Sequence, residues 1–250
     1  MLSCLPHVPR ELADTWYEKL SELEYEHHEV SLYGKKVLEP RVRLHFGAEG
    51  TNYKYSGTTN VGSGFPPLID EIRLHLQEMM KEEAAGSQRA AGSQRAAGSQ
   101  RAAGSQRAAG SQRAAGSQRP TGVEFNFVLV NCYRDIQDSI SWHSDDERSI
   151  LPGQPILSLS LGVTRKFQIR PRKGVEADVT ELTVPKGYRS TVSKTGVLTL
   201  PLEHGAVIVM NPGFQSTFQH QVPKQAKSMQ TLYQGSPVRF NLTFRVVSSD

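Results

Sequence analysis

Beyond residue 124 the chain is divided into short runs of Val, Ile, Leu, Phe and Thr separated by Gly and Pro: FNFVLVNCY, ILSLSLG, RKFQIR, GVLTL, AVIVMN and VRFNLTFRVV. Runs of this length closed by turn formers predict strands, six or more of them. Ahead of them the periodicity is helical. In ELADTWYEKLSEL the residues Leu12, Trp16, Leu20 and Leu23 recur at spacings of three and four. In PPLIDEIRLHLQEMMKEE the residues Leu68, Ile72, Leu76 and Met79 do the same behind a helix-starting Pro66 or Pro67. Helices followed by strands with hairpin-length connections predict an α+β domain whose sheets pack face to face or curl into a jelly roll.

Between the two textures, residues 84–119 are six copies of AAGSQR. A six-residue period advances about 600° around an α-helix, so successive arginines fall on three different sides and no apolar face forms. Each copy carries Gly and Ser and no large apolar group, too little to offset its ordering entropy. The segment reads as a flexible surface insertion joining the second helix to the first main strand, where a long loop costs little stability.

Six of the 29 Lys and Arg residues lie in this insertion, against 25 Asp and Glu in the whole chain. The formal charge of +4 therefore does not by itself argue for a polyanionic partner. No apolar run approaches the length of about 20 residues that spans a bilayer. The opening MLSCLPHVPRELADTW has no apolar h-region and acquires Glu11 and Asp14 early, so a soluble chain without a targeting signal is expected. Cys4 and Cys132 sit far apart in unlike contexts, which points to free thiols in a reducing compartment.

In SWHSDDE, His143 and Asp145 are two residues apart, so an extended chain puts both side chains on the same side. His220, in FQHQVPK, offers a third ligand. Two imidazoles and one carboxylate form the facial triad that suits Fe(II), leaving open positions on the metal. An HxD pair alone is a weak signal, because a lone strand histidine is more often a satisfied core residue. The last strand adds to it. Arg239, Asn241, Thr243 and Arg245 share one face of VRFNLTFRVV, and Phe240, Leu242, Phe244 and Val246 the other. Two arginines opposite an apolar stripe are either solvated on an edge strand or, inside a barrel, in need of an anionic partner such as a small dicarboxylate. Asn131 and Tyr133 share a face with Phe125, Phe127 and Leu129, where polar groups at the end of an apolar row either orient a ligand or run out into solvent.

An HxD pair followed by a distant His and then by Arg-x-Asn-x-Thr-x-Arg resembles the AlkB-type Fe(II)- and 2-oxoglutarate-dependent dioxygenases, and the resemblance covers nearly the whole chain outside the insertion. It is greatest to the eukaryotic duplex-DNA repair members, through Tyr33 before Gly34, Pro40 and Arg41, and then Tyr53, Tyr55, Ser56 and Gly57. The resemblance implies a double-stranded β-helix (jelly-roll) core with N-terminal helices packed on one sheet. Residues 1–83 would carry those helices and a nucleotide-recognition hairpin, 84–119 the insertion, and 120–250 the catalytic core, with 1–83 and 120–250 forming one structural domain.

The same resemblance implies that His143, Asp145 and His220 hold Fe(II) and that Arg239, helped by Asn131 and Tyr133, pairs with the distal carboxylate of 2-oxoglutarate. Asn241 and Arg245 would hold its chelating end, with O2 as the second co-substrate. Tyr55 and His143 would sandwich a flipped base, Tyr53, Asp146 and Glu147 would read its polar edge, Ser56 would line the pocket and Tyr33 would wedge into the base stack. Tyr33 and Tyr55 carry hydroxyls where family members use phenylalanine. Phosphate contacts are expected from Lys35, Lys36 and Arg41, and from Arg170, Arg172 and Lys173.

The implied activity is oxidative demethylation of bases such as N1-methyladenine and N3-methylcytosine in double-stranded DNA, by a monomer acting in the nucleus. An RNA or tRNA demethylase or hydroxylase of the same family and an inactive nucleic-acid-binding jelly roll are the alternatives. A zinc hydrolase is a weaker one, since no zincin-type general base accompanies the pair.

Overall fold

The computed structural model describes residues 2–32, 35–55, 58–97, 122–182, 184 and 187–248. β1 (Leu2–Leu5) and α1 (Arg10–Ser21) come first. A hairpin follows, β2 (Glu29–Leu32) with β3 (Lys35–Leu38), then β4 (Val42–Gly47). A second hairpin, β5 (Asn52–Tyr55) with β6 (Thr58–Val61), leads to α2 (Pro67–Ala97). Next come β7 (Phe127–Tyr133), β8 (Ile140–His143), β9 (Ile156–Gly162), β10 (Arg165–Pro171), β11 (Thr191–Val192), β12 (Leu198–Leu202) and β13 (Val207–Met210). The short α3 (Phe214–Thr217) precedes β14 (Phe218–Val222) and β15 (Arg239–Arg245).

The strands make a six-stranded sheet in the order β1-β13-β9-β15-β7-β4 and a five-stranded sheet in the order β11-β12-β10-β14-β8, with antiparallel pairing throughout. The two form a jelly roll. β15 sits between β9 and β7, and all seven of its residues are buried. Its period of two explains why. Phe240, Leu242 and Phe244 pack with Trp16 and Leu20 of α1 and with Ile69, Ile72 and Leu76 of α2. Each such side chain contributes about 1.5–3 kcal/mol on full burial, which fixes the helices on this sheet. Asn241, Thr243 and Arg245 turn the other way, into the cavity between the sheets.

The space between the sheets is filled unevenly. Phe167, Ile169, Leu200, Phe214 and Phe218 form an apolar plug, and beside it lie His143, Asp145, His220 and the polar face of β15.

The helices begin within a residue of where periodicity places them, and each of the six runs read as strands contains one. Two features differ from expectation. The N-terminal residues Leu2–Leu5, too short a run to stand out as a strand, form a fully buried one on β13. The helix expected to stop at the insertion continues to Ala97, through two copies of AAGSQR and into a third. Once a helix is nucleated each added residue gains a backbone hydrogen bond, and Ala, Gln and Arg propagate it well enough to carry one Gly per copy. Cys4 and Cys132 are buried and free.

Gly162 closes β9 at φ +90°, and a Cβ there would lie 2.3 Å from the Val238 carbonyl and 2.7 Å from Tyr17 Cε2 on α1. Gly50 has φ +80° and open space around it. Gly50→Ala therefore isolates the backbone cost, about 1–3 kcal/mol. Urea denaturation should find Gly162→Ala less stable than Gly50→Ala, because only the former also displaces α1.

Candidate active site

β14 lies beside β8 with His220 opposite His143, and the register shifts between this pair and Val222 opposite Ile140. The two imidazole rings are 4.2 Å apart. Asp145 follows in the turn after β8, its Oδ1 3.5 Å from His143 Nε2, and one potential ligand atom from each of the three residues lies within 4.8 Å of the others. The turn is pinned from α3 and β14: the Asp145 N–H donates to Gln215 Oε1 at 3.0 Å and the Ser144 hydroxyl to the Phe218 carbonyl at 2.9 Å. His143 Nδ1 is 2.8 Å from the Ser141 carbonyl, which can only accept, so Nδ1 carries the proton and Nε2 keeps its lone pair for the site.

Arg245 Nη2 donates to Asp145 Oδ2 at 2.9 Å, occupying one carboxylate oxygen and leaving Oδ1 toward the histidines. Burial by itself would raise the Asp145 pKa, but the Arg245 charge, with His220 and His143, outweighs it and brings the carboxyl down to about 2. Burial, and then the neighbouring His143, push His220 down to about 3, and burial likewise lowers His143. The cluster is therefore two neutral imidazoles and one carboxylate, the protonation set that a divalent cation needs.

The adjoining cavity is lined by Arg41, Asn131, Tyr133, Asn241, Thr243 and Arg245 among others. Arg239 stands just outside that lining, 1% exposed, with its guanidinium carbon 5.2 Å from the Tyr133 ring centre. Nη2 donates to Ser160 Oγ at 2.6 Å, and among the described residues no carboxylate pairs with Arg239. Burial lowers its pKa to about 10. A guanidinium this deep without an ion pair matches an anionic ligand. Asn241 is differently occupied. Its Nδ2 donates to Ser158 Oγ at 2.7 Å and to the Leu159 carbonyl at 3.0 Å, so it braces the cavity wall more than it offers free donors.

A wider cleft shares Asp145 and Met210 with this cavity and is edged by Asp146, Glu147, Arg148 and Arg172. Burial, and then the Asp145 charge, raise Glu147 to about 7, against the pull of the Arg245 guanidinium. Asp146 is exposed and pairs with Arg172 at 2.6 Å.

Several residues expected to touch nucleic acid sit elsewhere. Arg41 is no surface phosphate contact: it is buried, its Nε donates to Asn131 Oδ1 at 2.8 Å and its Nη2 lies 3.3 Å from Glu39. The reason is the alternation of β4 and its lead-in, which aims Arg41 inward. Tyr53 is fully buried between Phe127 and Arg245, and it lines neither the cavity nor the cleft. Tyr33 and Ser56 lie outside the described residues, and Tyr55 is described in its backbone only. Lys35 and Lys36 are exposed on β3, Arg170 stacks on Trp142 at 4.2 Å, and Lys173 is exposed. Sequence reading missed Glu39 and Gln215. For Glu39 a signal exists, since Glu39, Arg41 and Arg43 alternate on one face.

A jelly roll holding a facial two-histidine, one-carboxylate set beside an anion-seeking guanidinium is the architecture of a non-haem Fe(II) oxygenase. Comparison with known proteins carries this further. A family described as the 2OG-Fe(II) oxygenase superfamily matches residues 3–245, and the chain belongs to it. Its members use Fe(II), 2-oxoglutarate and O2.

The human DNA oxidative demethylase ALKBH2 is 28% identical over 218 residues, 87% of this chain and 60% of that protein. The rat alpha-ketoglutarate-dependent dioxygenase alkB homolog 3 is 38% identical over 130 residues, 52% of this chain and 38% of that protein. The chain thus spans less than two thirds of the length of these curated relatives. The solved structure of OsALKBH1 shares the fold at a TM-score of 0.51 and 16% identity, covering 98% of this chain and 96% of that one.

The donor set fits Fe(II), and the unpaired Arg239 fits the distal carboxylate of 2-oxoglutarate. Arg239→Met tests the second fit with two opposite signs. Removing a buried, unpaired charge should leave the ligand-free protein as stable or more stable, by up to about 1–4 kcal/mol in thermal unfolding. Calorimetric binding of 2-oxoglutarate to the Mn(II)-loaded variant should be lost.

Proposed function

We propose that the chain removes N-alkyl groups from bases such as N1-methyladenine and N3-methylcytosine in DNA by oxidative demethylation coupled to 2-oxoglutarate decarboxylation. The observation that carries this reading is the junction of the metal cluster with a solvent-open cleft edged by two carboxylates, Asp146 and Glu147. Bases methylated at these ring nitrogens are cationic near neutrality and carry polar edges, and the Glu147 carboxyl beside the cluster offers such an edge a hydrogen-bonding partner. Relatives named as DNA oxidative demethylases support the choice of DNA.

When bound, Fe(II) with 2-oxoglutarate and O2 supplies oxidation of an N-methyl group to N-hydroxymethyl, with succinate and carbon dioxide as co-products, and the hydroxymethyl group leaves as formaldehyde. The protein's part is positioning. His143, Asp145 and His220 would hold the metal, Asp145 ionised by Arg245 and both imidazoles neutral through burial. Arg239, Tyr133 and Asn131 would seat the co-substrate's distal carboxylate, and Arg245 would lie near its chelating end. Glu147 and the adjoining Asp146, both on the edge of the cleft, would meet the base edge, with Tyr53 behind them. A base inside a duplex cannot reach this depth, so it must be extruded first. Tyr33 as the wedge, Tyr55 and Ser56 as pocket residues, and Lys35, Lys36 and Arg170 as phosphate contacts complete the reading. It carries with it a monomeric enzyme acting in the nucleus. Among the described residues no helix is long and apolar enough to cross a membrane.

Anaerobic loading with Fe(II) and 2-oxoglutarate, followed by air and N1-methyladenine in duplex DNA, single-stranded DNA or RNA, decides the matter by release of formaldehyde. DNA should be the better substrate, and Asp145→Ala should reduce turnover at least about a thousandfold, as expected when a group required for the chemical step is removed. A strong preference for RNA would remove the DNA assignment, and no formaldehyde from any substrate would remove the demethylase.

A further inference from the structure

One buried charge cluster has no part in the scheme above. Glu39 follows β3 directly, Arg41 immediately precedes β4 and Arg43 lies within it, and the three side chains meet on one side. The Glu39 carboxylate is 3.3 Å from Arg41 Nη2 and 3.4 Å from Arg43 Nε, and these side chains are 3%, 4% and 1% exposed. From this centre the polar contacts run two ways. Arg41 Nε donates to Oδ1 of Asn131, which lines the metal cavity, at 2.8 Å. Arg43 Nη1 donates to Asn60 Oδ1 at 3.2 Å, and Asn60 Nδ2 donates to the Tyr53 carbonyl at 3.0 Å on the β5–β6 hairpin. The Glu39 N–H donates to the His28 carbonyl at 2.9 Å and closes the base of the β2–β3 hairpin.

The chemistry of a primary amide gives this arrangement its meaning. An asparagine can turn either its carbonyl oxygen or its NH2 toward a ligand. With Oδ1 committed to the Arg41 guanidinium, the group that Asn131 has left to offer the cavity is Nδ2, a donor and so the right partner for a carboxylate. Arg41 is a long side chain with many rotamers, and the carboxylate behind it selects one of them.

We propose that Glu39 is a positioning residue for an anionic co-substrate: its carboxylate fixes Arg41, and Arg41 fixes the Asn131 amide with its donor toward the cavity. The inference rests on the reading that this cavity takes 2-oxoglutarate.

Charge and position predict opposite outcomes. Removing the Glu39 charge leaves more positive potential near the cavity, so simple electrostatics makes Glu39→Gln bind a dianion more tightly. Loss of positioning makes it bind more weakly. Calorimetry of the Mn(II)-loaded full chain with 2-oxoglutarate should find Glu39→Gln weakened about tenfold, roughly the cost of one misplaced hydrogen-bond donor. Titration with Mn(II) alone should be unchanged. In an Asn131→Ala background Glu39→Gln should have no further effect, because the residue acts through that amide.

Unchanged or tighter binding in Glu39→Gln, or losses that add in the double variant, overturn the proposal. If Glu39→Gln does not fold, Glu39→Asp keeps the charge but withdraws the carboxylate. The same weakening is then expected, and wild-type affinity overturns the proposal. A wild-type protein that binds Mn(II) but no 2-oxoglutarate sinks the functional reading and this inference together; normal wild-type binding with an additive cycle sinks only the role of Glu39.

Discussion

Arg245 and Asp145 are each 3% exposed, and their contact at 2.9 Å joins the last strand of one sheet to the turn behind β8 in the other. Breaking a buried pair by removing one partner costs about 3–5 kcal/mol, because the other charge is left uncompensated. The contact holds Asp145 Oδ2, so that Oδ1 is the atom presented to the histidines. It also keeps the carboxyl ionised at a depth where burial favours the neutral acid. The same guanidinium lies 5.3 Å from the Tyr53 ring, which brings the β5–β6 hairpin into register with the metal cluster.

The pair has these effects because β15 has two unlike faces, both covered. Its aromatic and leucine side chains anchor the helices, and its polar side chains enter the barrel, so the strand that organises the core also carries the binding groups. The consequence is an interior short of negative charge. Among the described residues the buried arginines are Arg41, Arg43, Arg165, Arg239 and Arg245, against the buried carboxylates Glu39, Asp138 and Asp145. Asp138 is committed to Arg134 at 2.8 Å, and Arg165 is satisfied by Gln225 Oε1 and the carbonyls of Asp135, Asp138 and Pro223. What remains is a positive excess around Arg239.

What could be read in the sequence followed from local rules. Alternation in VRFNLTFRVV separates the helix-facing from the cavity-facing residues of β15, and the two-residue spacing of His143 and Asp145 places them on one side of an extended chain. Both properties are set within a few residues. The inward position of Arg41 is not legible locally, because a Pro-Arg after a hairpin looks like a surface element and only the pairing of β4 with β7 turns it inward. The burial of Tyr53 is hidden for a related reason: a tyrosine in a short hairpin strand has no local mark of its contact with Phe127 and Arg245. The extension of α2 to Ala97 reflects a competition between an unfavourable pattern and an already formed helix, which a composition argument about the repeat alone does not weigh.

The uneven filling of the barrel gives the cluster two unlike surroundings. Phe167 and Phe214 stand 5.2 and 6.2 Å from the His220 ring, ring centre to ring centre, and make the wall behind the metal cluster a region of low polarity. That wall keeps the imidazole neutral and strengthens the Arg245–Asp145 attraction by excluding water. Elsewhere the cavity meets, at Asp145 and Met210, the cleft edged by Asp146, Glu147, Arg148 and Arg172. Apolar packing thus supplies the conditions for holding a cation, and its interruption on one side supplies the entrance. Both depend on α3, whose Phe214 belongs to the plug while the next residue, Gln215, accepts the Asp145 N–H.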